Sequence, residues 1–181
     1  CQTASPLPRQ TSTLSPSILG LQMTSNFSWA TPAAATDLVT NAQFNALANN
    51  TCKLGSTVTP GTNPPRFTKP VMTAKYAANI TAGTVVGKGW FVEAVDGTNY
   101  DANGAASDGT TSAPLRAPDF IVIWPNIASQ LGPYVLQTVP ALVPRPSNLF
   151  KVLYQNTSGQ AHTSNATDSF LKESTQNEYG S

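Results

Sequence analysis

The sequence predicts an all-β domain, mainly an antiparallel β-sandwich or jelly-roll-like fold, with at most one short helix and an extended N-terminal arm. Short runs rich in Val, Ile, Phe, Tyr and Trp are bounded by Gly, Pro and Asn, which is typical of strands separated by turns. These runs recur about every 10–20 residues without helical segments between them, a spacing that favours an antiparallel sandwich.

Residues 1–24 are expected to form the arm. Residues 1–16 contain three prolines and few apolar side chains, a composition typical of an extended tether. In the following segment, 17–24, apolar side chains alternate onto one face as they do in a strand. Such a strand can pair with its own sheet or with the sheet of another copy. The apolar pegs of this predicted assembly arm are Leu19, Leu21 and Met23.

Residues 25–155 are expected to form the sandwich. Thr31–Leu47 is the helix candidate, because Thr31 can cap it and Pro32 suits its first turn. Residues 55–70 are rich in Gly and Pro and predict a loop. The predicted strands are Val71–Tyr76, Thr84–Val86, Gly89–Val95, Phe120–Trp124, Tyr134–Val139 and Leu149–Tyr154.

The expected core consists of apolar side chains in these strands and in the arm. Residues 156–181 are polar and are expected to form a C-terminal tail, with at most one helical turn at Asp168–Glu173. The predicted core residues are Leu21, Met23, Val71, Tyr76, Trp90, Val92, Ile121, Ile123, Val135, Leu149 and Val152.

The low charge of the chain restricts its function. Charged residues make up 10% of the sequence and the net charge is +1, whereas about 25% charged residues is typical of a soluble domain. The chain has no run of Lys and Arg of the kind that binds nucleic acid. It also has no apolar run that approaches the roughly 18 residues of a membrane helix. Solubility must then come from attached glycans or from burial of the surface in an assembly, and we expect a secreted or surface-displayed protein.

The two cysteines, Cys1 and Cys52, allow three interpretations. We expect a disulfide between them, which would fix the N-terminus to the domain and close a loop. Closing this loop would add about 3–4 kcal/mol to the free energy of unfolding. Alternatively, Cys1 followed by the polar stretch Gln2–Ser17 resembles the start of a mature bacterial lipoprotein, which implies a lipid on Cys1. The third possibility is two unpaired thiols.

Two kinds of modification or ligand site are indicated. Residues 99–104 read Asn-Tyr-Asp-Ala-Asn-Gly, a degenerate relative of the EF-hand calcium loop, although position 12 is Thr110 rather than Glu. The candidate Ca²⁺ ligands are Asn99, Asp101, Asn103 and Asp108, with no other cofactor expected. The candidate N-glycosylation sites are Asn26, Asn49, Asn79, Asn156 and Asn165, each in an N-x-[ST] sequence.

Enzymatic chemistry has little support. His162, the only histidine, lies in a polar stretch and is expected to be solvated, and no G-x-S-x-G motif accompanies it. Glu93 follows Trp90 in a predicted strand, where a hydrolase could place an acid, but an outward-facing charge fits the alternation equally well. Trp29, Trp90, Trp124 and Tyr76 suit core packing better than a sugar platform.

We therefore expect an extracellular or cell-surface structural protein that is not an enzyme: a subunit of a fibre, pilus, coat or adhesive layer that self-associates into a homo-oligomer or polymer through β-strand contacts. The alternatives are a secreted carbohydrate-binding or Ca²⁺-stabilised recognition module and, third, a secreted hydrolase.

Overall fold

The fold is all-β and antiparallel. The structure is a computed structural model that describes residues 27–29, 35–62, 64–100, 109–110, 112–125, 133–165, 167–176 and 178–180. The elements are β1 (Phe27–Trp29), β2 (Thr36–Val39), α1 (Asn41–Phe44), β3 (Cys52–Leu54), β4 (Phe67–Ala74), β5 (Val85–Glu93), β6 (Phe120–Ile123), β7 (Tyr134–Val139), β8 (Val143–Pro144), β9 (Phe150–Asn156), β10 (Phe170–Gln176) and β11 (Glu178–Gly180).

One main sheet contains most of these strands, in the order β2-β10-β4-β7-β6-β5-β9-β3, and β8 pairs with β4 beside this path. β1 and β11 form a separate two-stranded sheet. The main sheet folds over on itself, because side chains from both of its halves share one core. That core includes Leu38, Met72, Leu136 and Leu171 from the β2–β7 half, and Phe91, Val122, Phe150 and Val152 from the β6–β9 half.

β5 and β9 are covered on both faces. Phe91 packs into the main core, whereas Trp90 and Val92 belong to a second cluster on the opposite face, with Cys52 and Leu153. The indole N–H of Trp90 donates to the carbonyl oxygen of Arg116 at 3.0 Å. Burial on both faces explains why this part of the sequence is a continuous apolar run rather than an alternating one.

The predicted fold class is confirmed, but several predicted faces are wrong. Tyr76, Trp90, Val92 and Val152 are buried as expected. In β4, β6 and β7 the alternation is shifted by one residue, which exchanges the two faces of a strand. Val71 and Ile121 are half-buried, Ile123 and Val135 are exposed, and Leu149 is half-buried. The buried neighbours are Met72, Phe120, Val122, Leu136 and Phe150. Leu21 and Met23 lie outside the described residues.

The helix expected over 31–47 is wrong in its described part. Thr36–Val39 is a strand paired with β10, and only Asn41–Phe44 is helical. The side chain of Gln43 folds back to accept a hydrogen bond from the Thr40 N–H at 2.9 Å, which fixes the helix start. Pairing with β10 thus outweighs the helix propensity of the alanine-rich segment.

The expected polar tail is also wrong. β9 extends to Asn156, and β10 lies between β2 and β4 in the main sheet, so Phe170 begins a strand instead of continuing a helical turn. Leu171 and Glu173 face inward and are buried. Because one of these inward positions carries a charge, the strand lacks the apolar alternation by which strands are recognised.

The loop predicted at 55–70 ends earlier than expected, since β4 begins at Phe67. Pro70 lies inside this strand at a position that β10 pairs but that neither β7 nor β8 pairs. On that side of β4 the missing proline N–H removes no ladder hydrogen bond. The predicted strands Thr84–Val86 and Gly89–Val95 are joined into β5 through a bulge between Val85 and Gly87.

The two edges of the main sheet meet at Gly55, directly after β3. Its N–H donates to the carbonyl oxygen of Val152 at 2.8 Å, and a methyl group on its Cα would overlap the backbone carbonyl oxygen of Leu38 in β2. A backbone atom cannot move aside as a flexible side chain can. Only glycine therefore allows β2 and β3 to approach this closely.

We predict that Gly55→Ala lowers the free energy of unfolding by at least about 1–3 kcal/mol, the usual cost of overpacking. Gly61→Ala is the matched control, because nothing lies within 4 Å of the added methyl group there, and it should change stability by less than about 0.5 kcal/mol. Urea unfolding measures both. Equal effects of the two substitutions would show that the sheet edges do not meet as described.

Candidate functional site

A cleft of about 500 Å³ opens at the end of β5. β6 begins at Phe120, opposite Gly89, so β5 continues beyond the end of its neighbour. We refer to this cavity as the β5 cleft. Its lining residues are Phe91, Glu93, Val95, Arg116, Asp119, Pro144, Arg145 and Pro146.

An arginine and an aspartate take the place of the missing strand beside Phe91. Asp119 Oδ2 accepts the Phe91 N–H at 2.6 Å, and Arg116 Nη2 donates to the Phe91 carbonyl oxygen. Arg116 Nη1 also donates to both carboxylate oxygens of Asp119, at 2.9 and 3.0 Å. The pair satisfies the backbone groups that β6 would otherwise bond, which protects this part of the strand edge.

The opposite wall of the β5 cleft is held by a buried ion pair. Arg145 Nε and Nη2 donate to the two carboxylate oxygens of Glu173 at 3.0 and 2.9 Å, and the two side chains are 6% and 2% exposed. The guanidinium carbon lies 5.0 Å from the centre of the Phe150 ring. This bidentate geometry fixes Pro144–Pro146 relative to β10.

A second cleft of about 390 Å³ shares Val95 with the first. Together, the two clefts are bordered on one side by β5 and the turn after it, and on the other side by residues 144–149. The residues of the second cleft are Pro60, Ala94, Val95, Asp96, Gly97, Ser147, Asn148 and Leu149.

The β5 cleft combines apolar walls with paired charges. Arg116 and Arg145 each face a carboxylate partner, so neither is an uncompensated cation, and Glu93 is exposed. Phe91, Val95 and the two prolines offer apolar contacts. This combination suits binding of a ligand that has both apolar side chains and hydrogen-bonding groups. Glu93, the acid considered from the sequence, lies here with Asp119, and Asp119 is already held by Arg116.

Sequence reasoning missed Arg116 and Arg145. A weak signal was present in Arg116-Ala-Pro-Asp119, where opposite charges are three residues apart next to a proline, and in Pro144-Arg-Pro146. Neither pattern identifies the partner of the arginine, because Glu173 is 28 residues from Arg145 and only the folded sheet brings them together.

His162 is buried, which corrects the expectation of a solvated side chain. It is 2% exposed, and its ring lies 4.5 Å from that of Tyr76 and 4.9 Å from that of Phe44. Nδ1 is 3.0 Å from Ser169 Oγ, and Nε2 has no hydrogen-bond partner within the described part of the chain. Burial lowers the pKa of His162 to about 3. Neither His162 nor Ser169 lines either of the two clefts.

The proposed calcium loop is described only up to Tyr100. Asp96 Oδ1 accepts the N–H groups of Asn99 and Thr98 at 2.6 and 2.9 Å, and Oδ2 accepts the side-chain amide of Asn99 at 2.6 Å. These hydrogen bonds, led by that from the Asn99 N–H, lower the pKa of Asp96 to about 2. The described residues include no group of three or more potential metal ligands of the types His, Cys, Asp and Glu. Asp101, Asn103 and Asp108 lie outside them, so the Ca²⁺ site stays a prediction.

Cys52 is fully buried in β3. Its thiol donates to the carbonyl oxygen of Ser112 at a distance of 3.6 Å. Cys1 lies outside the described residues, as do the arm residues Leu19, Leu21 and Met23, so the disulfide and the lipid on Cys1 stay predictions.

The predicted glycosylation sites differ in accessibility. Asn79 and Asn165 are exposed, Asn49 is half-buried, and Asn26 is not described. Asn156 is fully buried, and its side-chain amide donates to the carbonyl oxygens of Leu47 and Gln160 at 3.0 and 2.8 Å. A glycan on Asn156 is incompatible with these contacts, so the prediction for this residue is wrong.

Comparison of the chain with protein-family models, with curated proteins and with solved structures finds no match. Within the described ranges no helix has the length and hydropathy needed to cross a membrane.

We predict that Glu173→Leu lowers the free energy of unfolding by about 3–5 kcal/mol, because it leaves the Arg145 charge buried without its partner. The double variant Arg145→Met with Glu173→Leu should recover most of this loss. Asp37→Asn breaks the exposed Lys172–Asp37 pair and should cost less than about 1 kcal/mol. Urea unfolding measures the free energy of unfolding of the three variants. Equal losses for Glu173→Leu and Asp37→Asn would contradict the buried ion pair.

A second prediction concerns pH. His162 stays neutral in the fold down to about pH 3, whereas in the unfolded chain it takes up a proton near its ordinary pKa of 6.5. The unfolded state therefore binds more protons as the pH falls below 6.5, and His162 should destabilise the fold by about 1.4 kcal/mol per pH unit below that value. His162→Phe should remove this slope. Parallel stability curves for the two proteins between pH 6 and pH 4 would rule out the buried neutral histidine.

Proposed function

We propose that this chain is an extracellular or cell-surface structural subunit that assembles with copies of itself through contacts of its β-sheet. The observation that supports the proposal is an aliphatic patch on the outer face of adjoining strands in the main sheet. Val135 is 71%, Val139 49% and Ile123 36% exposed. The patch consists of Val71, Val85, Ile121, Ile123, Val135 and Val139.

Strand register places these side chains next to one another. Ile121 is directly opposite Val139, and Ile123 is directly opposite Val85. Val71 is opposite Gln137 and Val135 is opposite Thr73, two pairs further along β4 and β7, so Val71 and Val135 are diagonal neighbours on one face. Single exposed aliphatic residues are ordinary, but a contiguous group is typical of an interaction surface. Low surface charge opposes close contact between copies only weakly, so both properties favour self-association.

The alternative, a secreted carbohydrate-binding module, has less support. Trp90, Trp124 and Tyr76 are buried and cannot stack on a sugar without unfolding. Tyr100 is half-buried, with the ammonium group of Lys151 4.4 Å from its ring centre. The third candidate, a hydrolase, would use Glu93 and Asp119 in the β5 cleft.

We expect the purified chain to form oligomers or filaments, visible by light scattering and negative-stain microscopy. Val135→Glu with Val139→Glu should shift it toward the monomer without unfolding it, because both side chains are already exposed. Leu115→Glu is the control, since Leu115 is fully exposed outside the patch, and it should leave assembly unchanged. A chain that stays monomeric at high concentration would contradict the proposal.

A further inference from the structure

The edge of β5 carries unused backbone groups inside the β5 cleft. Phe150 exchanges its backbone hydrogen bonds with Val58, on the far side of β9, so Glu93, which lies opposite Phe150, is in a pair without hydrogen bonds to β9. The N–H and carbonyl groups of Glu93 therefore point toward the cleft. They have no hydrogen-bond partner within the described ranges, whereas those of Phe91 are occupied by Arg116 and Asp119.

The shape and lining of the cleft suit an extended segment. One wall is a strand edge, and the other is the Pro144–Pro146 stretch, whose prolines offer apolar surface and have no N–H. A chain lying between them can bond Glu93 on one side and pack apolar side chains on Val95 and Pro144, the exposed apolar residues of the lining. This is the geometry of strand addition, in which backbone bonds give affinity and alternate side chains give specificity.

The first described strand, β1, lies near the same end of the sheet. Gln176 at the end of β10 pairs with Phe67, and Phe67 pairs with Pro144. Two strand spacings of about 4.8 Å therefore separate Gln176 from the cleft wall. β11 follows directly, and Phe27 pairs with its Gly180. Residues 17–24 precede Phe27 by only two residues, and as a strand they would span about 26 Å.

We propose that the β5 cleft receives residues 17–24 of a neighbouring copy as an added strand. Its backbone hydrogen-bonds Glu93, and its alternating Leu19, Leu21 and Met23 pack against the apolar walls. The inference rests on the proposed self-assembly and adds to it a second contact, separate from the aliphatic patch: each copy donates one segment and accepts one, a head-to-tail contact that generates rings or filaments.

Site-directed cross-linking of the full chain tests this inference. In a Cys1→Ser background, a chain with Leu21→Cys is mixed with a chain with Val95→Cys and oxidised, so that any disulfide between these positions joins two molecules. Val95 is 81% exposed, and its substitution leaves the core intact. The control mixture pairs Leu21→Cys with Leu115→Cys, which lies outside the cleft. Non-reducing gels and peptide mass spectrometry identify the links, and light scattering of the same samples reports assembly.

We expect a dimer linked between positions 21 and 95 and little link between positions 21 and 115. Glu93→Pro in the Val95→Cys chain should lower the yield about fivefold, since it removes the N–H that faces the cleft, and Glu93→Thr should preserve it. Assembly without the 21–95 link would overturn the strand addition but leave self-assembly standing, whereas loss of assembly would overturn both. A further chain carries both Leu21→Cys and Val95→Cys. A link that forms only within this chain, and not between the two singly substituted chains, would overturn the inference and show that the cleft holds the chain's own segment.

Discussion

Glu173 places a buried negative charge on β10, between β2 and β4 of the main sheet, and the register of β10 depends on the cation that meets it there. A slip of β10 by one residue would turn the carboxylate outward and Leu171 with it, leaving Arg145 buried without a partner. β2 and β4 both pair with β10, so their positions follow from the same contact. The ion pair also holds the Pro144–Pro146 wall, and the shape of the β5 cleft therefore depends on a charge outside its lining.

The polar contacts of the cleft also limit how the sheet can grow. Arg116 and Asp119 occupy the backbone groups of Phe91, so a strand from outside cannot pair along the full length of β5. The prolines opposite contribute no N–H group. What stays accessible is a short edge at Glu93 beside apolar surface, an arrangement that limits pairing to a brief, specific contact and opposes uncontrolled edge-to-edge growth.

The sequence predicted the all-β class and most strand positions, because the strands near the core are rich in β-branched and aromatic residues. The prediction failed where exposed residues are apolar or buried residues are polar. Tyr134–Val139 has apolar residues at both inward and outward positions, Leu136 and Val135 among them, so its alternation does not choose a face. β10 carries an inward Glu, so its sequence pattern predicts a polar tail rather than a strand. In the site, Arg116 and Arg145 meet partners that only the folded chain identifies, and the histidine in a polar stretch is buried because Phe44, Tyr76 and Tyr154 from distant segments cover it.

Asn156 carries a further consequence for how the protein is made. Its side chain joins the end of β9 to Leu47 and Gln160, yet Asn156-Thr157-Ser158 is a complete acceptor sequence for glycan transfer. In a compartment that glycosylates nascent chains, the asparagine is open to the transferase only until β9 is in place. A chain modified there carries a bulky polar group where the fold needs a buried amide. The yield of native protein in such a host then depends on whether β9 folds faster than the glycan is transferred to Asn156.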